Sequence, residues 1–191
     1  KFVSAPDYET PTDVGGNNVY DVIVQVDDGA LLDTQAIAVT VTDSNEFAVS
    51  GISDTNAAAN AVNENSANGT VVRITAFAVD ADGSNNAITY SLDDSAGGRF
   101  AVNSSTGVVT VAGSIDREAA ASQAIVVRAT SADGSFSTRG FSIDVNDVNE
   151  FALGSVSDTN GAANTVAENA GIGTVVGLTA FAQDADATTN S

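Results

Sequence analysis

The chain repeats itself at an offset of 104 residues. Asp54–Asn86 reads DTNAAANAVNENSANGTVVRITAFAVDADGSNN and Asp158–Asn190 reads DTNGAANTVAENAGIGTVVGLTAFAQDADATTN, with 21 of 33 positions identical. The same offset carries Asn45-Glu46-Phe47 onto Asn149-Glu150-Phe151. A second pair of motifs, Asp7-Tyr8-Glu9 and Asp116-Arg117-Glu118, marks the other half of the unit. Self-similarity on this scale is the mark of a tandem array. It sets the boundaries: residues 1–46 read as the C-terminal half of one unit, 47–149 as a complete unit, and 150–191 as the N-terminal half of a third. Lys1 falls near position 110 of the complete unit and Ser191 near position 87. Two strands' worth of sequence is then supplied by neither half. The chain therefore reads as a cut from a longer polypeptide, with complementation between neighbouring molecules as the lesser alternative.

Within the unit the apolar residues alternate. Val22, Val24 and Val26 do so, as do Ile37, Val39 and Val41, then Ile88, Tyr90 and Leu92, then Ile125, Val127 and Ala129, then Phe141, Ile143 and Val145. Period two is the strand signature. Between the runs stand Asp28-Gly29, Asp82-Gly83, Gly97-Gly98 and Asp133-Gly134, which are turn signals. No long run carries a helical stripe. The spacing predicts an all-β fold: seven-stranded Greek-key sandwiches of two antiparallel sheets, immunoglobulin-like and strung in an extended array.

Charge narrows the function. Six basic residues against 25 acidic ones give a formal charge of −19, so neither nucleic acid nor an anionic membrane surface suits this chain. Apolar content of 43% is enough for packed cores. No stretch approaches the ~18 continuous apolar residues of a membrane helix. His, Cys, Met and Trp are all absent. That removes Ser-His-Asp triads, Cys nucleophiles and ordinary zinc or haem sites, and with them any obvious enzyme. It also removes disulfides, so a module outside the cell needs another source of rigidity, which oxygen-rich metal sites supply.

The acids collect at the joints between units. Residues i and i+2 of a strand share a face, so Asp80 with Asp82, Asp184 with Asp186, and Asp116 with Glu118 can converge. The first joint gathers Asp7, Glu9, Asp43, Glu46, Asp80, Asp82 and Asp133, with Asn45 as a neutral oxygen donor. The second gathers Glu64, Asp116, Glu118, Asp147, Glu150, Asp184 and Asp186, with Asn149. Two unit charges 4 Å apart repel by about 4 kcal/mol at an effective dielectric of 20. Clustered acids therefore push units apart unless a cation lies between them. Hard oxygen ligands without nitrogen or sulfur select Ca²⁺ or Mg²⁺, and many carboxylates with carbonyls favour Ca²⁺.

Asn63-Glu64-Asn65, Ile115-Asp116-Arg117-Glu118, Asp147-Val148-Asn149-Glu150 and Asp184-Ala185-Asp186 together resemble the calcium-binding signature of cadherin repeats, in phase across all three units. In that family such residues bind Ca²⁺ at each joint and stiffen a tandem rod. The resemblance implies that Glu64 is the Glu of the first strand, and that Asp116 and Glu118 form the Asp-Arg-Glu motif. Asp147, Asn149 and Glu150 would be linker ligands, and Asp184 and Asp186 the Asp-x-Asp of the following unit. Asp28 and Asp133 would be the Asp before Gly that closes the site from below, with Asn85 or Asn86 offering a carbonyl. The linkers depart from the animal pattern: Asp-Asn-x-Pro should follow, and Glu46-Phe47 and Glu150-Phe151 stand there instead. The Cys-free, Ala-, Thr- and Asn-rich composition resembles cadherin-like repeats of large bacterial surface or secreted proteins.

Other features have plainer readings. Asp54 and Asn56 suit an Asx turn, and Asn63 and Asn65 suit turn caps. Gly97-Gly98 lacks the strand-to-helix context of a phosphate loop. Tyr8, Tyr20, Phe47 and Phe151 suit core or joint packing better than a sugar platform. The expected function is a calcium-rigidified extender of an extracellular, cell-surface or secreted adhesin or fibre. Its partners are Ca²⁺, neighbouring repeats and, in fibres, other copies. The alternative is that the repeats are themselves homophilic or carbohydrate-binding modules.

Overall fold

A computed structural model describes residues 1–186; the end of the third unit expected at 150–191 lies outside the described residues. No helix occurs among them. The first element is a hairpin of β1 (Val19–Asp27) and β2 (Leu32–Thr40), paired antiparallel from Val19 opposite Thr40 to Asp27 opposite Leu32. Asp28 closes its turn, its Oδ1 accepting from the N–H groups of Ala30 and Leu31 at 2.9 and 2.8 Å. The alternation of Val22, Val24 and Val26 holds, but these side chains are 43%, 47% and 67% exposed. Among the described residues the hairpin is a two-stranded sheet with no facing layer.

The central unit has that facing layer. One sheet runs β3 (Ser53–Asp54), β5 (Val71–Phe77), β8 (Val108–Val111), β7 (Phe100–Val102). The other runs β4 (Ala61–Asn63), β10 (Phe136–Asn146), β9 (Ser122–Ser131), β6 (Ile88–Asp94). Val72, Ile74, Ala76, Val109 and Val111 point inward from the first sheet, and Ile125, Val127, Ala129, Phe141, Ile143 and Val145 from the second. Each such Val, Ile or Phe contributes about 1.5–3 kcal/mol of apolar burial, and each Ala less, which is why the period-two runs became strands.

The count of seven strands needs one amendment. Eight segments are present because the first strand is split between sheets: β3 pairs with β5 and β4 with β10. The β4–β10 ladder is also parallel, Val145 facing Val62, where an all-antiparallel sandwich was expected. A strand that keeps its heading as it crosses between sheets pairs antiparallel with β5 and parallel with β10, because those two partners run in opposite directions. In the last described stretch, β11 (Ser157–Asp158) pairs with β12 (Ala180–Phe181) in the register of β3 with β5.

Candidate metal centre

The end of the central sandwich nearest the β1–β2 hairpin collects acids from four places. Asp80 and Asp82 follow β5. Asp133 sits in the β9–β10 turn. Asp43 and Glu46 lie in the segment after β2, and Glu9 comes from the N-terminal loop. Carboxylate oxygens of Glu9, Asp43, Glu46 and Asp82 all lie within 4.8 Å of one another, and so do those of Asp80, Asp82 and Asp133. Asp82 belongs to both groups and is only 2% exposed. Its Oδ1 accepts from the N–H groups of Glu46 at 3.1 Å and Phe47 at 3.2 Å, so it pins the connecting segment to the sandwich. Its Oδ2 is buried without a hydrogen-bond partner, as are Asp80 Oδ2 and Asp43 Oδ1.

Neighbours tune these acids. The Ser84 hydroxyl donates to Asp43 Oδ2 and lowers that carboxyl's pKa. Asp133 is lowered by the Ser135 N–H at 2.7 Å and then by the Asn45 amide. Glu46 is pushed up, first by burial and then by repulsion from Glu9, Asp82, Asp43 and Asp7. Of the three, only Glu46 registers the surrounding like charge; Asp43 and Asp133 follow their hydrogen bonds. The one ion pair among the described residues joins Arg128 to Asp93 at 2.8 Å, elsewhere on the sandwich. Buried charges are paired or coordinate metal, and here no base is at hand.

The opposite end repeats the plan. Oxygens of Glu64, Glu118 and Glu150 form one group and those of Glu118, Asp147 and Asp186 another, each within 4.8 Å. Glu64 is 2% exposed; its Oε2 accepts from Arg117 N–H at 2.6 Å and its Oε1 from Val148 N–H at 2.7 Å. Asp186, fully buried, takes the role of Asp82: its Oδ1 accepts from Glu150 N–H at 3.1 Å and its Oδ2 from Phe151 N–H at 3.3 Å.

Besides the amides Asn45 and Asn149, three acids of the expected joint sets lie outside these groups. Asp7 Oδ1 accepts from Glu9 and Thr10 N–H at 3.0 and 3.1 Å, and Asp116 Oδ1 from Ala119 N–H at 3.0 Å, so both shape their own loops. Asp184 is buried and accepts from Asp186 N–H at 3.2 Å, much as Asp80 accepts from Asp82. The expected Asx turn is present: Asp54 Oδ1 accepts from Asn56 N–H at 3.0 Å and also from Thr75 N–H at 3.0 Å. Asn65 has a wider role than a turn cap, donating to Glu150 Oε1 at 2.8 Å. Asn85 offers its carbonyl to the Ser131 hydroxyl at 3.0 Å. Phe47 and Phe151 are not core residues, being 45% and 46% exposed. Ser84 and Ser135 escaped the sequence reading, because single Ser residues carry no periodic signal, and Gly83 was legible only as a turn residue.

The donor set is all oxygen. It combines a shared carboxylate, several half-exposed ones and three orphaned buried oxygens, and this suits a hard cation of high coordination number. A cadherin domain family model matches residues 59–146. The mouse cadherin-23 EC22-24 structure is 28% identical with a TM-score of 0.63, covering 92% of this chain and 56% of that one. The protocadherin GammaB4 extracellular domain is 26% identical with a TM-score of 0.69, covering 93% and 28% respectively. The chain thus spans little more than half the length of the first of these and under a third of the second.

Proposed function

Starting from a chain that carries a cadherin domain at residues 59–146, we propose that its acidic joints bind Ca²⁺ and that the bound ions set the stiffness of the tandem array. Cadherin domains are extracellular structural and adhesion modules, and no helix among the described residues is long and apolar enough to cross a membrane. Residues 1–46, 47–149 and 150–191 are taken as the end, whole and beginning of successive repeats. At the first joint Glu9, Asp43, Glu46, Asp80, Asp82 and Asp133 hold the ions, with Asn45 and the loop of Asp7 beside them. At the second Glu64, Glu118, Asp147, Glu150 and Asp186 do so, with Asp116, Asn149 and Asp184 adjoining.

The observation that carries this reading is Asp82. One buried carboxylate fastens the connecting segment with Oδ1 and leaves Oδ2 without a partner among other acids. The ion supplies positive charge that cancels the repulsion. The carboxylates orient it, and the Asp82 and Asp186 hydrogen bonds transmit its position to the linkers. Without ions the acids repel, so the linkers loosen and are cleaved faster. The Cys-free composition supports a bacterial surface or secreted parent, in which such an array holds a distant binding domain away from the cell. Small-angle scattering of the 191-residue chain tests it: the maximum dimension should sharpen in millimolar Ca²⁺ and spread in chelator. Identical profiles would refute calcium stiffening. Calcium-dependent bead aggregation or glycan binding by this chain alone would favour the repeats as binding modules instead.

A further inference from the structure

The two joints differ at the middle of the Asp-x-Glu motif. Tyr8 stands there at the first and Arg117 at the second. The following unit differs too: Gly83 at the first joint corresponds to Ala187, which lies outside the described residues. At the first joint the two differences meet. A Cβ built on Gly83 would stand 2.7 Å from Cδ1 and Cε1 of the Tyr8 ring and 3.0 Å from Glu9 Oε1. Carbon atoms do not pack that closely, so the ring occupies space that only glycine leaves open. Gly83 N–H also donates to Glu9 Oε1 at 2.8 Å. Two consecutive side chains of one motif thus grip one residue. The motif is held in turn by the Asp7 carboxylate and by Asn18, whose Nδ2 donates to the Tyr8 carbonyl at 2.9 Å.

Arg117 uses the same position differently. Its Nη1 donates to the carbonyls of Val145 at 2.7 Å and Ala121 at 3.2 Å, both on the sandwich that carries it. A guanidinium can satisfy several carbonyls at the end of its own sheet. A phenol ring has no such fork and covers apolar surface across the joint instead.

We infer that Tyr8 and Gly83 form a ring-and-notch key between successive repeats, an interface independent of metal that selects which repeat can follow which. The notch at Gly83 fits a preceding repeat that ends in Asp-Tyr-Glu, and an Asp-Arg-Glu repeat leaves it unfilled. The key rests on the proposed division into successive repeats but not on the proposed ions. The first joint therefore keeps an ordered contact when divalent ions are withdrawn, and the second, its arginine turned back, has no ring to hold.

The test uses the 191-residue chain in chelator. Nuclear Overhauser contacts between the Gly83 α-protons and the Tyr8 ring should persist there, and their absence overturns the key. A substitution cycle gives a second readout, the rate of proteolysis in the linker at residues 43–47. Gly83→Ala should speed cleavage about tenfold when residue 8 is Tyr, because the added carbon displaces the ring. In a Tyr8→Arg background the same change should alter the rate less than about twofold. Equal effects in both backgrounds overturn the key. A chain with the Gly83–Tyr8 contact but no response to Ca²⁺ would defeat the calcium reading alone; the reverse pattern would defeat the key alone.

Discussion

Asp82→Asn isolates the charge at the centre of the first joint from its shape. The wild-type side chain is 2% exposed, shared by two carboxylate groups, and bonded through Oδ1 to Glu46 and Phe47 N–H. Asparagine keeps that acceptor oxygen and nearly the same volume, but puts an NH₂ in place of Oδ2, the proposed cation ligand. In chelator, removing one negative charge from among Glu9, Asp43, Glu46, Asp80 and Asp133 leaves the melting midpoint unchanged or slightly higher. In Ca²⁺ at 100 times its dissociation constant, the wild-type joint gains about 2.7 kcal/mol per independent site. A unit of this size shifts by about 4 °C per kcal/mol, so the gain is roughly 11 °C. A hundredfold loss of affinity reduces the gain to about 0.4 kcal/mol, roughly 2 °C. Differential scanning calorimetry of both chains, with and without Ca²⁺, reads the difference of differences. An equal calcium-induced shift in the two would refute the argument that Asp82 Oδ2 is a cation ligand.

Other perturbations probe separate links. Arg73 sits at a φ of 66° where β5 and β8 slip register, and the repeat places Gly177 there at a φ of 77°; Arg73→Gly should raise stability by about 1 kcal/mol in urea unfolding, with no gain if the bulge relaxes freely. Ile74 is fully buried in the central core, so Ile74→Ala should cost about 2–5 kcal/mol in the same assay, and a loss under 1 kcal/mol would contradict the packing. In chelator, stability should rise as pH falls through the raised Glu46 pKa toward its ordinary 4.5, since the folded joint takes that proton first. Below about 3.8 it should fall again as Asp43 and Asp133, both lowered in the fold, are protonated. Calcium should abolish the first limb, because the ion then competes with protons for Glu46; thermal melts across pH 3–7 with and without Ca²⁺ check this, and a first limb that survives in Ca²⁺ would refute it.

Much of the fold was legible in the residues. Alternation at Ile125, Val127 and Ala129 and at Phe141, Ile143 and Val145 marked β9 and β10, because burial selects every second side chain. The 104-residue offset carries Asp43, Glu46 and Asp82 onto Asp147, Glu150 and Asp186, so much of both acidic clusters could be read from the repeat; Glu9 and Glu118 stand 109 apart and had to be found from their shared Asp-x-Glu motif. The split of the first strand into β3 and β4 left no such trace: segments of two and three residues are too short for a period to show.

The sequence by itself determined that this is a β-rich, strongly acidic chain with a 104-residue internal repeat that its carboxylates largely follow. Local alternation and repetition are properties of the chain order alone. Which acids meet was decided only by tertiary structure. Asp133 reaches Asp80 and Asp82 because the β9–β10 turn and the loop after β5 end at the same edge of the sandwich, while Asp7 and Asp116 are drawn into their own turns. Tyr8 on Gly83 belongs to the same class. A carboxylate's reach is a few ångströms, and no spacing along the chain records which distant loop folding brings within that distance.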